Sequence, residues 1–354
     1  MDPPTATKPQ VTARKSSGNP FARVREIADL CVKCGLCLPH CPTYRLNGIE
    51  GESPRGRISL IQGLTDGALP ASDRIAEHLD NCTGCLSCQA VCPANVLYGE
   101  LIDLGRAELR RRGRKRRVAA RMLAMLSRSP PVTVILLRLL RAARRLGIDR
   151  LALRLGLAPD HWLGRVLTSL PVPERNAALR PSANRGAPAE GRQVMLFTGC
   201  VSRSVDPATL TDTTRVLERI GYRVNVPSAQ VCCGALDLHD GEPGKARTNA
   251  ARNCAAFGTD GQPILTVASG CAATLVQYDR LSPRDCERLS CRVASVEAFI
   301  EDHWAADTPV LGPLAGRVMI FEPCTARNVL PRPSATRRLL ARIPALDIVE
   351  LGTG

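Results

Sequence analysis

Three observations predict a mixed chain, a helical N-terminal module followed by an α/β half. Two groups of four cysteines lie near the start, separated by segments with helical punctuation. From residue 192 onward, short β-prone runs alternate with helical segments. Late in the chain, "RVMIFEPC" echoes the earlier "RQVMLFTGC", so the α/β half includes the opening of a second copy of itself. A length of 354 residues accommodates two or three domains.

The first element is the cysteine pair of runs. The chain has 16 cysteines. Those in the first hundred residues form "CVKCGLCLPHCP" (Cys31, Cys34, Cys37, Cys41, Pro42) and "CTGCLSCQAVCP" (Cys82, Cys85, Cys88, Cys92, Pro93). Such clustering points to metal ligation rather than a disulfide framework. Each run fits the C-x2-C-x2-C-x3-C-P spacing of bacterial [4Fe–4S] proteins. Three thiolates two residues apart can wrap one face of a cubane on a tight loop. The fourth is displaced onto the next segment and ligates the other cluster. One cluster is therefore assigned to Cys31, Cys34, Cys37 and Cys92, the other to Cys82, Cys85, Cys88 and Cys41. The competing reading is a pair of zinc sites in a basic adaptor without redox function, but zinc modules usually present separated C-x2-C pairs.

The insert between the runs reads as helix. Ser53 can cap "ESPRGRISLIQGL", Pro54 suits its first position and Gly63 can close it. "SDRIAEHLDN" reads as another helix, with Ser72 as cap and Ile75, Ala76 and Leu79 on one face. This is a helical ferredoxin-type module, expected over 21–105. Arg55 and Arg57 either sit beside a cluster and raise its potential or merely solvate a helix start.

Residues 1–20 hold no signal-peptide core and read as a disordered tail. No run of eighteen apolar residues occurs, so no transmembrane segment is expected. The formal charge of +15 is concentrated in 106–121, "RAELRRRGRKRRVAAR", which calls for an acidic partner, an anionic membrane surface or nucleic acid. The region 106–190 is read as basic helix and linker. In "ILLRLLRAARRLG" Leu136, Leu140 and Ala143 oppose Arg138, Arg141 and Arg145. That amphipathic pattern suits a docking face, a membrane surface or simple packing. Aromatic residues make up 3 % of the chain, and none interleaves with this basic run for base stacking, so nucleic acid is set aside.

In the second half, strand "VMLF" precedes Cys200, strand "YRVNVP" leads to Cys232, Cys233 and Gly234, and strand "ILTVAS" ends at Cys271. Cysteines at the carboxyl ends of strands occupy the usual ligand position of an open α/β sheet. Cys200, Cys232, Cys233 and Cys271 are therefore a candidate third redox or metal site, with Gly234 permitting a close backbone approach. Cys254, Cys286 and Cys291 read as ordinary small apolar residues, and His239 as a surface or packing histidine. No G-x-G-x-x-G fingerprint appears, so neither flavin nor NAD is expected on this chain.

Together "CVKCGLCLPHCPTYRLNG", "SPRGRISLI", "HLDNCTGCLSCQAVCP", "FTGC", "VCCGALDLH", "ASGC" and "PCT" resemble the iron–sulfur subunits of bacterial glycolate oxidase. The resemblance covers nearly the whole chain. It implies two [4Fe–4S] clusters on the eight N-terminal cysteines and a Cys-rich, Cys-Cys-Gly domain on Cys200, Cys232, Cys233 and Cys271. It also implies FAD-containing partner subunits that oxidise glycolate to glyoxylate, and a membrane acceptor such as quinone. The expected location is the cytoplasm, peripheral to the inner face of the membrane. Related architectures imply alternatives: the iron–sulfur subunit of a lactate or anaerobic glycerol-3-phosphate dehydrogenase, or a heterodisulfide reductase-like catalyst.

Two features depart from that pattern. Cys271 is followed by Ala272, Ala273 and Thr274, so the C-x-x-C ending is missing and four candidate ligands remain. The first repeat is expected over 191–305 and only part of a second over 315–354. The cysteine pair begins thirty-two residues after Cys200, and the same offset from Cys324 lies past Gly354. On this reading the second repeat is truncated, and the C-terminal region is expected to be unstable or to need another chain.

Overall fold

The computed structural model describes residues 20–114, 192–304 and 310–351, with isolated positions between 132 and 146. Residues 1–19 of the predicted tail, the linker up to residue 191, and Leu136, Arg138, Leu140, Arg141, Ala143 and Arg145 lie outside the described residues. Two compact units result, divided after Arg114.

The first unit is helical: α1 (Pro20–Ala28), α2 (Pro42–Asn47), a 3₁₀ turn (Glu50–Glu52), α3 (Pro54–Thr65), α4 (Asp73–Asp80), α5 (Ser87–Ala90) and α6 (Tyr98–Arg111). Its core gathers Ile27 from α1, Ile61 and Leu64 from α3, Leu79 from α4 and Leu101 from α6, all essentially inaccessible. Burying five such side chains supplies the main driving force for the module, at roughly 1.5–3 kcal/mol each. Ser53 caps α3 by accepting from the Gly56 N–H at 2.9 Å, and Pro54 opens the helix. Ser53→Ala is expected to cost about 1 kcal/mol, read as a lower urea midpoint at unchanged slope.

Gly63 does not close α3. The helix continues to Thr65, and Gly63 lies inside it against Leu69. The unit also extends past residue 105, because α6 packs on α3 where Gly105 meets Ile61: a Cβ there would lie 2.6 Å from Ile61 Cγ1. Part of the basic run is consequently structural. Arg106 donates to the carbonyls of Leu79 (2.8 Å) and Cys82 (2.9 Å), and Arg112 to that of Leu64. Arg114 pairs with Asp80 at 3.0 Å. These cations satisfy the carbonyl-rich C-terminal ends of α3 and α4, where the helix dipole favours positive charge.

The second unit carries a parallel sheet of β1 (Arg192–Phe197), β2 (Tyr222–Asn225), β3 (Ile264–Thr266) and β4 (Val293–Ser295), in the order β2-β1-β3-β4. Strand β4, only three residues long, was not expected from sequence. Between the strands lie α7 (Cys200–Val205), α8 (Pro207–Arg219), α9 (Ala235–His239), α10 (Pro243–Phe257), α11 (Ser269–Leu275), α12 (Tyr278–Leu281) and α13 (Pro283–Ser290). The strand β4 leads directly into α14 (Val296–Asp302). Alternation sorts the side chains onto two faces. Val194, Leu196 and Leu265 pack with Leu210, Leu217 and Phe299; Met195, Phe197 and Ile264 pack with Ala250, Phe257 and Leu289. Both faces are thus covered, as buried parallel strands require.

The echoed stretch repeats the element order that opens the second unit, from β1 to β2. β5 (Gly316–Ile320) pairs in parallel with β6 (Leu346–Glu350), across α15 (Cys324–Val329) and α16 (Ala335–Leu340). Register pairs Arg192 with Tyr222 and Gly316 with Leu346, thirty positions on in both copies. Cys200 and Cys324 each open the helix that follows the first strand. Burial differs: Met195 and Phe197 are 6 % and 0 % exposed, while Met319 and Phe321 are 65 % and 63 % exposed. Among the described residues no helix is long and apolar enough to cross a membrane.

Candidate metal centres

Each N-terminal cysteine run forms a loop with the same unusual backbone. In the first, Lys33 and Gly35 have φ of 59° and 83°; in the second, Gly84 and Leu86 have 66° and 58°. These are the same two places after the leading cysteine. Left-handed residues at alternate positions turn the chain tightly enough for three thiols to share one hollow.

Two hollows result. Every residue from Cys31 to Cys37 lines the first, together with Cys92. The second is lined by Cys82, Cys85, Cys88 and Cys41, with Arg57 and Tyr98. Cys88 also reaches the wall of the first. Each hollow thus receives the last cysteine of the other run. Among the described residues no three His, Cys, Asp or Glu side chains close on a point as a single metal ion would demand.

Two of the thiols, Cys37 and Cys88, resist ionisation on their own. Burial pushes the Cys37 thiol up, and the neighbouring Cys31 and Cys92 add to it. Burial likewise pushes Cys88 up, followed by Cys82, Cys85, Cys37 and Cys41. Four thiolates in one hollow repel one another unless a cationic group sits among them, and metal coordination deprotonates thiols outright. The donor set therefore fits an iron–sulfur cluster in each hollow.

"SPRGR" arranges the wall between helix and hollow residue by residue. Gly56 lies so close to the 3₁₀ turn that a Cβ would fall 1.9 Å from the Glu50 carbonyl oxygen. Arg55 turns outward, with Nε donating to Glu50 at 2.7 Å and Nη1 to the Lys33 carbonyl at 3.2 Å. Arg57 turns inward and is 1 % exposed. It donates to Glu52 at 2.5 Å, the His78 carbonyl at 2.7 Å and Thr43 Oγ1 at 3.0 Å, with Cys41 Sγ 4.0 Å away. Glu52 also accepts from Asn81 at 3.0 Å and lies 2.7 Å from His78 Nδ1. Burial would raise the Glu52 carboxyl, but the His78 and Asn81 hydrogen bonds and the Arg57 charge outweigh it and hold it below the ordinary range. Sequence singled out Arg55 and Arg57 but not Glu52, His78 or Tyr98.

In the second unit, Cys200, Cys232 with Cys233, and Cys271 follow the carboxyl ends of β1, β2 and β3. The chain passes from β1 to β2 on one side and then crosses to β3 on the other side of β1, so the thiols meet at the topological switch point. Cys200 Sγ and Cys232 Sγ are 3.5 Å apart, and Cys233 bonds with Cys232 and Cys271. Hydrogen bonding with Cys232 comes first and burial next in pushing Cys200 up. Cys271 is lowered, because Cys233 donates to it against the cost of burial. Four clustered thiols here also suit a cationic centre.

The close approach of Gly234 is to helix α10: at φ 83°, its Cβ would lie 3.1 Å from Ala246 Cα. Buried Asn253 pins the loop, accepting from Val231 N–H (2.8 Å) and donating to the Cys232 carbonyl (3.2 Å). Tyr278 Oη donates to the Cys233 carbonyl at 2.8 Å. An asparagine amid Ala246, Ala250, Cys254 and Phe257 on the buried face of α10 was the sequence signal for this role.

His239 is exposed, as expected, and Cys291 is exposed rather than apolar filling. The reading of Cys254 and Cys286 as ordinary small apolar residues is corrected: they form a disulfide with Cα atoms 5.5 Å apart. Packing of α10 against α13 brings them within bridging distance. Cys324 starts α15, which packs on α11, and Thr325 Oγ1 donates to Ser269 Oγ at 3.0 Å.

Comparison with known proteins recognises the same two parts of the chain. The family description "4Fe-4S dicluster domain" matches residues 27–96, and "Cysteine-rich domain" matches 194–276. The chain is 30 % identical to the "Probable glycolate oxidase iron-sulfur subunit" of Bacillus subtilis, over 91 % of this chain and 76 % of the relative. It is 31 % identical to the glycolate oxidase iron–sulfur subunit of Escherichia coli, over 72 % of this chain and 59 % of the relative, so it spans under two thirds of that protein. It is 28 % identical to a subunit of the anaerobic glycerol-3-phosphate dehydrogenase of Escherichia coli, over 91 % of this chain and 80 % of the relative. No solved structure matches the chain.

Proposed function

The chain belongs to the family of glycolate oxidase iron–sulfur subunits, and on that premise we propose that it is the electron-transfer subunit of a 2-hydroxy-acid oxidising complex. Cys31, Cys34, Cys37 and Cys92 hold one [4Fe–4S] cluster, and Cys82, Cys85, Cys88 and Cys41 the other. Each bound cluster supplies a one-electron relay. Cys200, Cys232, Cys233 and Cys271 hold a third iron–sulfur centre. A FAD-containing partner oxidises glycolate to glyoxylate, and the electrons pass to a membrane acceptor such as quinone, with the subunit peripheral to the inner face. The observation that carries this reading is the pair of thiol-lined hollows, each completed by the other run's last cysteine.

The chain's own residues set where the relay sits. The loops fix the thiols, the α3–α6 core holds the loops, and the Arg57–Glu52 pair braces the second hollow. The likeness to a glycerol-3-phosphate dehydrogenase subunit supports the same role with another substrate, since the substrate binds the partner.

Anaerobic purification with iron and sulfide analysis tests the reading. About eight irons are expected for two cubanes and about twelve if the third centre is filled. Glycolate is expected to reduce the centres only when the flavoprotein is present. A colourless protein that binds zinc and gives no reducible iron signal overturns the proposal, as does turnover of glycolate by this subunit alone.

A further inference from the structure

The two N-terminal hollows differ in surroundings. The first opens to solvent: Cys34 is exposed, and Val32 and Leu36 beside it are 72 % and 58 % exposed. Arg55 lies at its edge within electrostatic reach of Cys37, but its guanidinium donates to Glu50 and the Lys33 carbonyl and to none of the thiols. Among the described residues no side chain donates to the sulfurs of Cys31, Cys34, Cys37 or Cys92, and Cys37 Sγ accepts only from the backbone N–H groups of Cys37 and Arg55. The second hollow is walled by two buried donors. Arg57 Nη1 stands 4.0 Å from Cys41 Sγ, and Tyr98 Oη donates to Cys82 Sγ at 3.7 Å. Tyr98 is 3 % exposed, and although its ring also lines the first hollow, its Oη is aimed at Cys82 of the second.

We propose that Arg57 and Tyr98 are positioning residues that set the second site at a higher potential than the first, so that an electron admitted at the open first site comes to rest at the closed second one. This rests on the two-cluster reading above. One electron leaves the first site and arrives at the second; no bond or proton moves, and the flavoprotein partner is the donor.

The reason is electrostatic. Reduction adds negative charge that spreads onto the ligating sulfurs. A fixed cation and an O–H aimed at those sulfurs stabilise the added charge more than the oxidised state, and low surrounding polarity magnifies the difference. Glu52 offsets Arg57 only in part, because its carboxylate is shared with His78 and Asn81.

The test is an anaerobic redox titration of the full chain followed by EPR, with Cys34→Ala identifying the first site's signal. Tyr98→Phe removes one donor without emptying the wall. At a fixed potential it is expected to lower the reduced-to-oxidised ratio of the second site about tenfold, equal to 59 mV for one electron, while the first site's midpoint stays put. Arg57→Lys keeps the charge but loses the fork, and is expected to shift the same midpoint by less. Unchanged second-site midpoints, or equal shifts at both sites, overturn the proposal. So does loss of the second signal in both variants, since a positioning residue tunes a bound group and is not needed to hold it. Absence of any cubane signal in the unsubstituted chain defeats the two-cluster reading instead.

Discussion

Cys92→Ala is expected to abolish the centre built on Cys31, Cys34 and Cys37, although it lies in the other cysteine run. Cys92 lines the first hollow with those three residues, and its charge contributes to raising the Cys37 thiol. Cys82, Cys85 and Cys88 keep their fourth partner in Cys41. Iron content of the two N-terminal sites should therefore fall by about half, from about eight atoms to about four, with one cubane signal lost and one retained. Cys41→Ala should produce the mirror image. Loss of the Cys82, Cys85 and Cys88 signal in the Cys92 variant would mean that each run serves only itself.

Gly56→Ala should disrupt the whole helical module. The added carbon would fall 1.9 Å from the Glu50 carbonyl oxygen and 2.8 Å from its carbon, both backbone atoms. Either the 3₁₀ turn or the start of α3 must shift, and both carry the buried pair of Glu52 and Arg57. A cost of at least about 3 kcal/mol is expected, the upper range for overpacking and a large share of a small module's stability. Gly63→Ala is the control. Its Cβ would meet the Leu69 side chain alone, at 2.7 Å from Cδ1 and 2.9 Å from Cγ, so a side chain rather than backbone must give, and helix propensity gains about 1 kcal/mol against that shift. Thermal melts of the anaerobically purified variants should separate the two widely; coincident melts would refute the close approach at Gly56.

The local features were legible because they are written in spacing. Cysteine intervals announced both loops, Ser53 and Ser72 announced their helices, and the echoed "VMLF" and "VMIF" announced a duplicated strand-helix-strand unit. What escaped was non-local. Glu52 meets His78 across twenty-six positions of chain, and nothing in either segment names the other. Cys254 and Cys286 read as filler because their pairing depends on how α10 and α13 pack. β4 is too short to show a period. The basic run was legible only in part for a related reason: charge density says that a cation is present, not that Arg106, Arg112 and Arg114 turn back onto helix ends.

The two cysteine loops share handedness without sharing the residue that makes it cheap. Glycine occupies the second left-handed place in the first loop (Gly35) and the first such place in the second (Gly84); Lys33 and Leu86 fill the others. A residue pattern that demands glycine directly after the second cysteine finds the run at 31–37 and misses the one at 82–88. A profile of backbone torsions recognises both as one object. For loops of this kind ancestry is better traced through dihedral angles than through letters.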